Sequence, residues 1–107
     1  MAYERAVRNI TTNLLWLYVI ALLKERRMYA YEIAKEISNR FGFKVATVTV
    51  YSVLYKMEHE GLVKSAQSKP FLKPSKRFYE LTEKGDFTWS SAIDYIGDKL
   101  SALKRLG

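Results

Sequence analysis

The sequence predicts a mainly α fold with a small β-hairpin wing: a winged helix-turn-helix with N- and C-terminal dimerisation helices. Three observations predict it. Apolar residues recur at helical spacing through three separate stretches. Between the last two of these lie two strand-like runs, joined by a loop that holds both prolines of the chain. Positive charge gathers in the same region. Residues 37–79 carry eight basic side chains (Arg40, Lys44, Lys56, Lys64, Lys69, Lys73, Lys76 and Arg77) against Glu58 and Glu60. Residues 1–36 carry six basic and four acidic side chains, and residues 80–107 four basic and five acidic. Most of the positive excess therefore sits in the middle of the chain, and a local basic excess marks a polyanion partner.

With 107 residues, 49% of them hydrophobic and 27% charged, the chain suits one domain over 1–107. No cysteine is present, so neither disulfides nor thiolate metal sites are expected. The longest apolar run, Leu14 to Leu23, is ten residues, short of the roughly 20 that span a bilayer. No small-residue cleavage site precedes Lys24-Glu25-Arg26-Arg27. A cytoplasmic protein with no membrane partner is expected. The five glycines are scattered, which excludes a glycine-rich phosphate loop. His59, the single histidine, lies between two glutamates as a solvated residue; it has no Cys partner, and no Ser or Asp is placed to make a catalytic constellation with it. The chain reads as no enzyme, with no cofactor and no metal.

The first helix is expected over residues 5–26. Its Leu14–Leu23 stretch is apolar on all sides and so must be covered all round, which calls for a second subunit. A second helix is expected over 29–41, with Ala30, Ile33, Ala34, Ile37 and Phe41 on one face and Gly42 as its left-handed stop. The third stretch begins Thr47-Val48-Thr49-Val50-Tyr51, a β-branched run that also fits a strand. Helix over 47–60 is preferred, because Val50, Val53, Leu54 and Met57 share a face and Gly61 supplies the stop. Thr47 is the expected N-cap. A wing follows over 62–81. The last helix, 82–106, starts from Thr82 with Glu83 and Asp86 in its first turn, where the helix dipole favours acids. Trp89, Ile93, Ile96, Leu100 and Leu103 step by 4, 3, 4 and 3, a heptad seam suited to a partner helix.

The third helix turns Thr47, Thr49, Ser52 and Lys56 away from its apolar face, with Tyr51 and Tyr55 at or near that side. Threonine methyls suit thymine methyls, hydroxyls suit base edges or phosphates, and Lys56 suits guanine or phosphate. For Tyr51, packing with one phosphate contact and direct base reading both stand. Arginine and glutamine do not project from this helix, so specificity leans on DNA shape. Lys44, Lys64, Lys69, Lys73, Lys76 and Arg77 suit phosphates or the minor groove. Phe71 and Leu72 at the wing tip either fold back on the body or touch sugars. The dimer seam is assigned to Leu14, Leu15, Tyr18, Trp89, Ile93, Ile96, Leu100 and Leu103. Two other readings stand beside DNA binding: a protein-interaction module, and a ligand-gated regulator with a small-molecule pocket between Trp16 and Trp89.

Three stretches resemble the PadR-like family of winged-helix transcriptional regulators. They are Tyr31-Glu32-Ile33; Thr49-Val50-Tyr51 with Leu54 and Met57-Glu58-His59-Glu60-Gly61-Leu62-Val63; and Phe78-Tyr79-Glu80-Leu81-Thr82-Glu83-Lys84-Gly85. The resemblance covers roughly residues 14–88. Ala30 stands where the family usually has glycine, Arg26-Arg27 replace small turn residues, and Ala46 and Ser52 replace positions often Ser and Pro. A single helix after the wing is similar to the family's short form. The resemblance implies a homodimer, joined through its first and last helices, that binds a pseudo-palindromic site in double-stranded DNA and usually represses. It also implies that some members sense a small molecule at the dimer interface.

Overall fold

In the computed structural model, which describes residues 1–66 and 77–107, the chain forms five α-helices and three strands. In order these are α1 (Ala2–Ile10), a 3-10 turn (Thr12–Leu14), α2 (Leu15–Leu23), β1 (Met28–Tyr29), α3 (Ala30–Phe41), α4 (Thr47–His59), β2 (Val63–Ala66), β3 (Phe78–Leu81) and α5 (Glu83–Leu106). The strands make one antiparallel sheet in the order β1-β3-β2. The arrangement is a winged helix: α2, α3 and α4 form the three-helix body, and β2 and β3 form the base of the wing.

The first helix is not the continuous 5–26 rod expected. It breaks at Thr11-Thr12-Asn13, where Thr11 leaves the helical region (φ −110, ψ −80). Side chains there compete with the backbone ladder: the Thr11 hydroxyl donates to the Val7 carbonyl at 2.7 Å and the Asn13 amide to the Asn9 side chain at 2.7 Å. The Tyr18 hydroxyl then donates to the Ile10 carbonyl at 2.7 Å, satisfying a group the break orphans. Together the stretch Ala2–Leu23 has the length and apolar composition of a membrane span, yet its apolar half is the central helix of the core.

That core covers most of the apolar run expected to need a second subunit. Leu15, Leu17, Val19, Ile20, Leu22 and Leu23 are all buried within one chain, because α2 packs against α3, α4, α5 and β3. One side of α2 stays open: Leu17, Tyr18 and Ala21 line an apolar groove with residues of α5. Further unmatched apolar surface lies on the outer helices. Among the described residues α1 buries none of its side chains and α5 buries only Gly85. The molecule is correspondingly long, 55 × 29 × 21 Å.

Local chemistry accounts for the other boundaries. Glu32 in the first turn of α3 accepts the Tyr29 backbone N–H at 3.2 Å, one half of a capping box. Gly42 ends α3 in the left-handed region at φ 75. At α4 the cap is Ala46, not Thr47; Ala46 has no side chain to offer, and Thr47 is already helical. The other end of α4 is a Schellman motif. Gly61 (φ 79) donates to the Glu58 carbonyl at 3.0 Å, and Leu62 donates to the Met57 carbonyl at 2.9 Å. β1 escapes the sequence reading because two residues carry no periodicity.

The two similar-looking motifs, Glu60-Gly61-Leu62 and Thr82-Glu83-Lys84-Gly85, meet in space. The Thr82 hydroxyl accepts from the Gly85 N–H at 3.0 Å, as its N-cap role predicts, and donates to the Gly61 carbonyl at 2.6 Å. Lys84 Nζ donates to the Glu60 carbonyl at 2.7 Å, where a cation suits the C-terminal end of α4. At the neighbouring corner Lys24 Nζ lies 2.5 Å from Asp86 Oδ1 and 4.5 Å above the Trp89 ring. These contacts set where α5 leaves the body.

Candidate nucleic-acid interface

Helix α4 buries Val50, Leu54 and Met57. Its opposite side presents Val48, Ser52, Tyr55 and His59 at successive turns, all exposed. Val48 is 73% and Tyr55 64% exposed, and the Tyr55 and His59 rings meet edge to face at 4.7 Å. Lys56 flanks this stripe and is also exposed. Thr47, Thr49 and Tyr51 are only half-buried shoulders of it. The sequence reading missed Val48, although the spacing 48, 52, 55, 59 was there to be read.

Between α4 and the base of the wing runs an open groove lined by Val48, Tyr51, Ser52, Tyr55, Lys56, Arg77 and Tyr79. Its floor is a polar cluster. The Ser65 hydroxyl donates to Glu58 Oε2 at 2.8 Å. Burial pushes the Tyr79 phenol above its ordinary pKa; the charge of Arg77 and its hydrogen bond act against this, and Glu58 adds to it. Arg77 is thus held at the foot of the wing, with its Nε buried and unpaired among the described residues. It faces α4 rather than standing out in solvent as a simple phosphate clamp.

The remaining basic residues divide. Lys44 is exposed in the linker just before α4. Lys64 pairs in register with Glu80 on β3, 4.0 Å from its carboxylate, and Glu80 also takes Arg27 at 3.6 Å. Since Ser65, its neighbour, turns toward α4, Lys64 projects from the other sheet face, partly neutralised. Lys69, Lys73 and Lys76, with Phe71 and Leu72, lie outside the described residues.

The dimer assignment is also sorted. Leu15 is 2% exposed and belongs to the core, so it is withdrawn from the seam. Leu14, Tyr18, Trp89, Ile93 and Ile96 line an open apolar groove with Ile10, Leu17, Ala21 and Phe41. Farther along α5, Leu100 and Leu103 stand in solvent. The exposed stripe Tyr3, Val7 and Ile10 of α1 was missed: Tyr3 lies before the expected helix start, and Val7 and Ile10 precede the continuous apolar run that drew the reading to Leu14–Leu23. Among the described residues the two tryptophans line different clefts: Trp89 the apolar groove just described, and Trp16 a cleft with Thr12, Val53, Lys56, Met57 and Glu60. Among the described residues, no group of three or more acidic or histidine side chains is placed to hold a metal.

Comparison with known proteins agrees with this architecture. A transcriptional regulator PadR-like family model matches residues 19–89. A PadR family transcription regulator from Clostridium difficile is 30% identical, with 86% of this chain and 97% of that one covered at a TM-score of 0.66. A transcriptional regulator from Clostridium thermocellum is similar at TM-score 0.78 and 19% identity, covering 91% and 93%. Bacillus subtilis PadR, solved in complex with operator DNA, is similar at TM-score 0.66 and 21% identity, covering 75% of this chain and 47% of that one. No curated protein sequence matches significantly. A family match over residues 19–89 takes in α3, α4 and the whole sheet, and the chain belongs to the PadR-like family of transcriptional regulators.

Proposed function

We propose that the protein is a homodimer that binds a pseudo-palindromic site in double-stranded DNA and acts in the cytoplasm as a transcriptional repressor. The carrying observation is the exposed α4 stripe beside the groove that leads to the wing. In this reading the stripe enters the major groove. Lys44 and Lys56 take phosphates beside it, and Lys69, Lys73 and Lys76 take those reached by the wing. Arg77 holds the wing foot, and Lys64 contributes less. Complex formation by Bacillus subtilis PadR with operator DNA supports the partner class.

Homodimerisation is supported by the apolar surface left open on α1 and α5. Two α4 helices held about one DNA turn apart, ~34 Å, would then grip the two half-sites. The test is duplex binding as salt is varied. If the dimer neutralises six to ten phosphates, affinity should fall by about 10³-fold or more between 50 and 200 mM salt. Affinity independent of salt would overturn the reading, and no binding to duplex at low salt would favour a protein-interaction role instead.

A further inference from the structure

We propose that Val48 is a specificity-determining residue that reads the C5-methyl group of thymine. The inference rests on the DNA-binding reading and extends it to one base edge.

Val48 lies in the first turn of α4, the part of a recognition helix that meets base edges. Its neighbours Thr47 and Thr49, the residues the sequence offered as methyl readers, are half-buried, while Val48 is 73% exposed. Ser52 and Tyr55 follow it on the same stripe, so it stands at the rim of the groove between α4 and the wing. An exposed valine in a helix is a poor local choice, since its β-branch loses rotamer freedom there. With so much of its surface in water it adds little to the core.

Its chemistry allows one kind of readout. Valine has neither donor nor acceptor, so it cannot distinguish bases by hydrogen bonding. The thymine methyl is the one apolar group that the four bases show in the major groove. Covering that methyl removes apolar surface from water. Placing the same side chain over the cytosine amino group would leave a donor without a partner. Val48 therefore favours thymine over cytosine at the base it covers, and it does so without the bidentate contacts this helix lacks.

The test uses a duplex selected from a random pool, with each thymine replaced in turn by deoxyuridine, which lacks only the methyl. At one thymine per half-site, the unaltered protein should bind the uracil duplex about three- to fivefold more weakly, as one buried methyl-sized group implies. Val48→Ala should bind the thymine duplex weaker by a similar factor and be indifferent to uracil there. Val48→Thr, which exchanges one methyl for a hydroxyl, should show a reduced thymine-over-uracil ratio. In both variants the steepness of random-duplex affinity with salt should match the unaltered protein's, because that slope counts neutralised phosphates and valine carries no charge. If the unaltered protein ignores every uracil, or Val48→Ala senses the same uracil as strongly as the unaltered protein does, the inference is overturned while DNA binding stands. If the unaltered protein binds no duplex at low salt, the DNA-binding reading fails, and this inference with it.

Discussion

Ser65 on β2 donates its hydroxyl to the Glu58 carboxylate on α4 at 2.8 Å, tying the foot of the wing to the helix beside it. The bond lies among Tyr79, Arg77 and Tyr51 and is partly shielded. Ser65→Ala should therefore lower stability by about 1 kcal/mol in urea unfolding. Combined with Glu58→Ala in a double-mutant cycle, it should give a coupling of roughly 0.5–1 kcal/mol. Additive losses would mean that the wing foot and α4 are not energetically linked.

Gly85 is where α5 starts against the end of α4. A Cβ there would sit 2.2 Å from the Leu62 carbonyl oxygen and 2.6 Å from Leu81 Cδ1. A carbonyl cannot yield as a flexible side chain can, so Gly85→Ala should cost about 1–3 kcal/mol. Thermal unfolding checks this, with Gly97→Ala as the control, since nothing lies within 4 Å of a Cβ at that position. An unchanged melting temperature for Gly85→Ala would contradict the packing described.

Leu100 and Leu103 project from α5 into solvent, 51% and 68% exposed. On the dimer proposal, Leu100→Glu with Leu103→Glu should yield a folded monomer by sedimentation, with unchanged helical content. The same pair should reduce affinity for a two-half-site duplex far more than for a single half-site. If the doubly substituted protein still sediments as a dimer, the assignment of this part of α5 to the interface fails.

Glu25, just past α2, hydrogen-bonds Arg40 near the end of α3. The hydrogen bond from Arg40 holds the Glu25 carboxyl below the usual carboxylate range, against the opposing effect of desolvation and with help from the charges of Arg40 and Arg26. A carboxyl whose pKa is lowered on folding stabilises the fold when pH is above its unfolded value, and that stability is lost as pH falls through the folded value. Melting temperature should therefore decline on the acid side of the ordinary carboxylate range, and Glu25→Gln should make that decline shallower. Because both groups are exposed, the effect should also shrink as salt is raised. An identical acid limb in the two proteins would rule out this contribution.

Much of the body was legible because its elements are long and strongly patterned. Ile33 and Ile37 announce one face of α3, and Val50, Leu54 and Met57 one face of α4; all are buried. Gly42, Gly61 and Thr82 mark real boundaries because each meets a specific backbone need. What escaped depends on partners distant in sequence. Met28-Tyr29 becomes a strand only by pairing with Phe78-Tyr79. How much of the apolar run of α2 is covered within the chain was not legible, because its cover, α3 and α4, arrives later in the sequence. Lys64 looked free for DNA until Glu80 was placed opposite it. On α4, charge and hydroxyl groups drew the eye to Lys56 and the threonines. Helical spacing, followed strictly, would have put Val48 ahead of both threonines on the exposed side.

If the protein dimerises through α5 on two half-sites, as proposed, the Lys24 contacts with Asp86 and Trp89 would bear on how far apart those half-sites lie. In a dimer closed through α5, each DNA-reading body hangs from an arm whose exit angle this corner fixes. The corner would then work as a caliper: held shut it admits one separation between the two α4 helices, and sprung open it accepts several. On that proposal, substituting Lys24 would change the number of base pairs tolerated between half-sites rather than the identity of any one base.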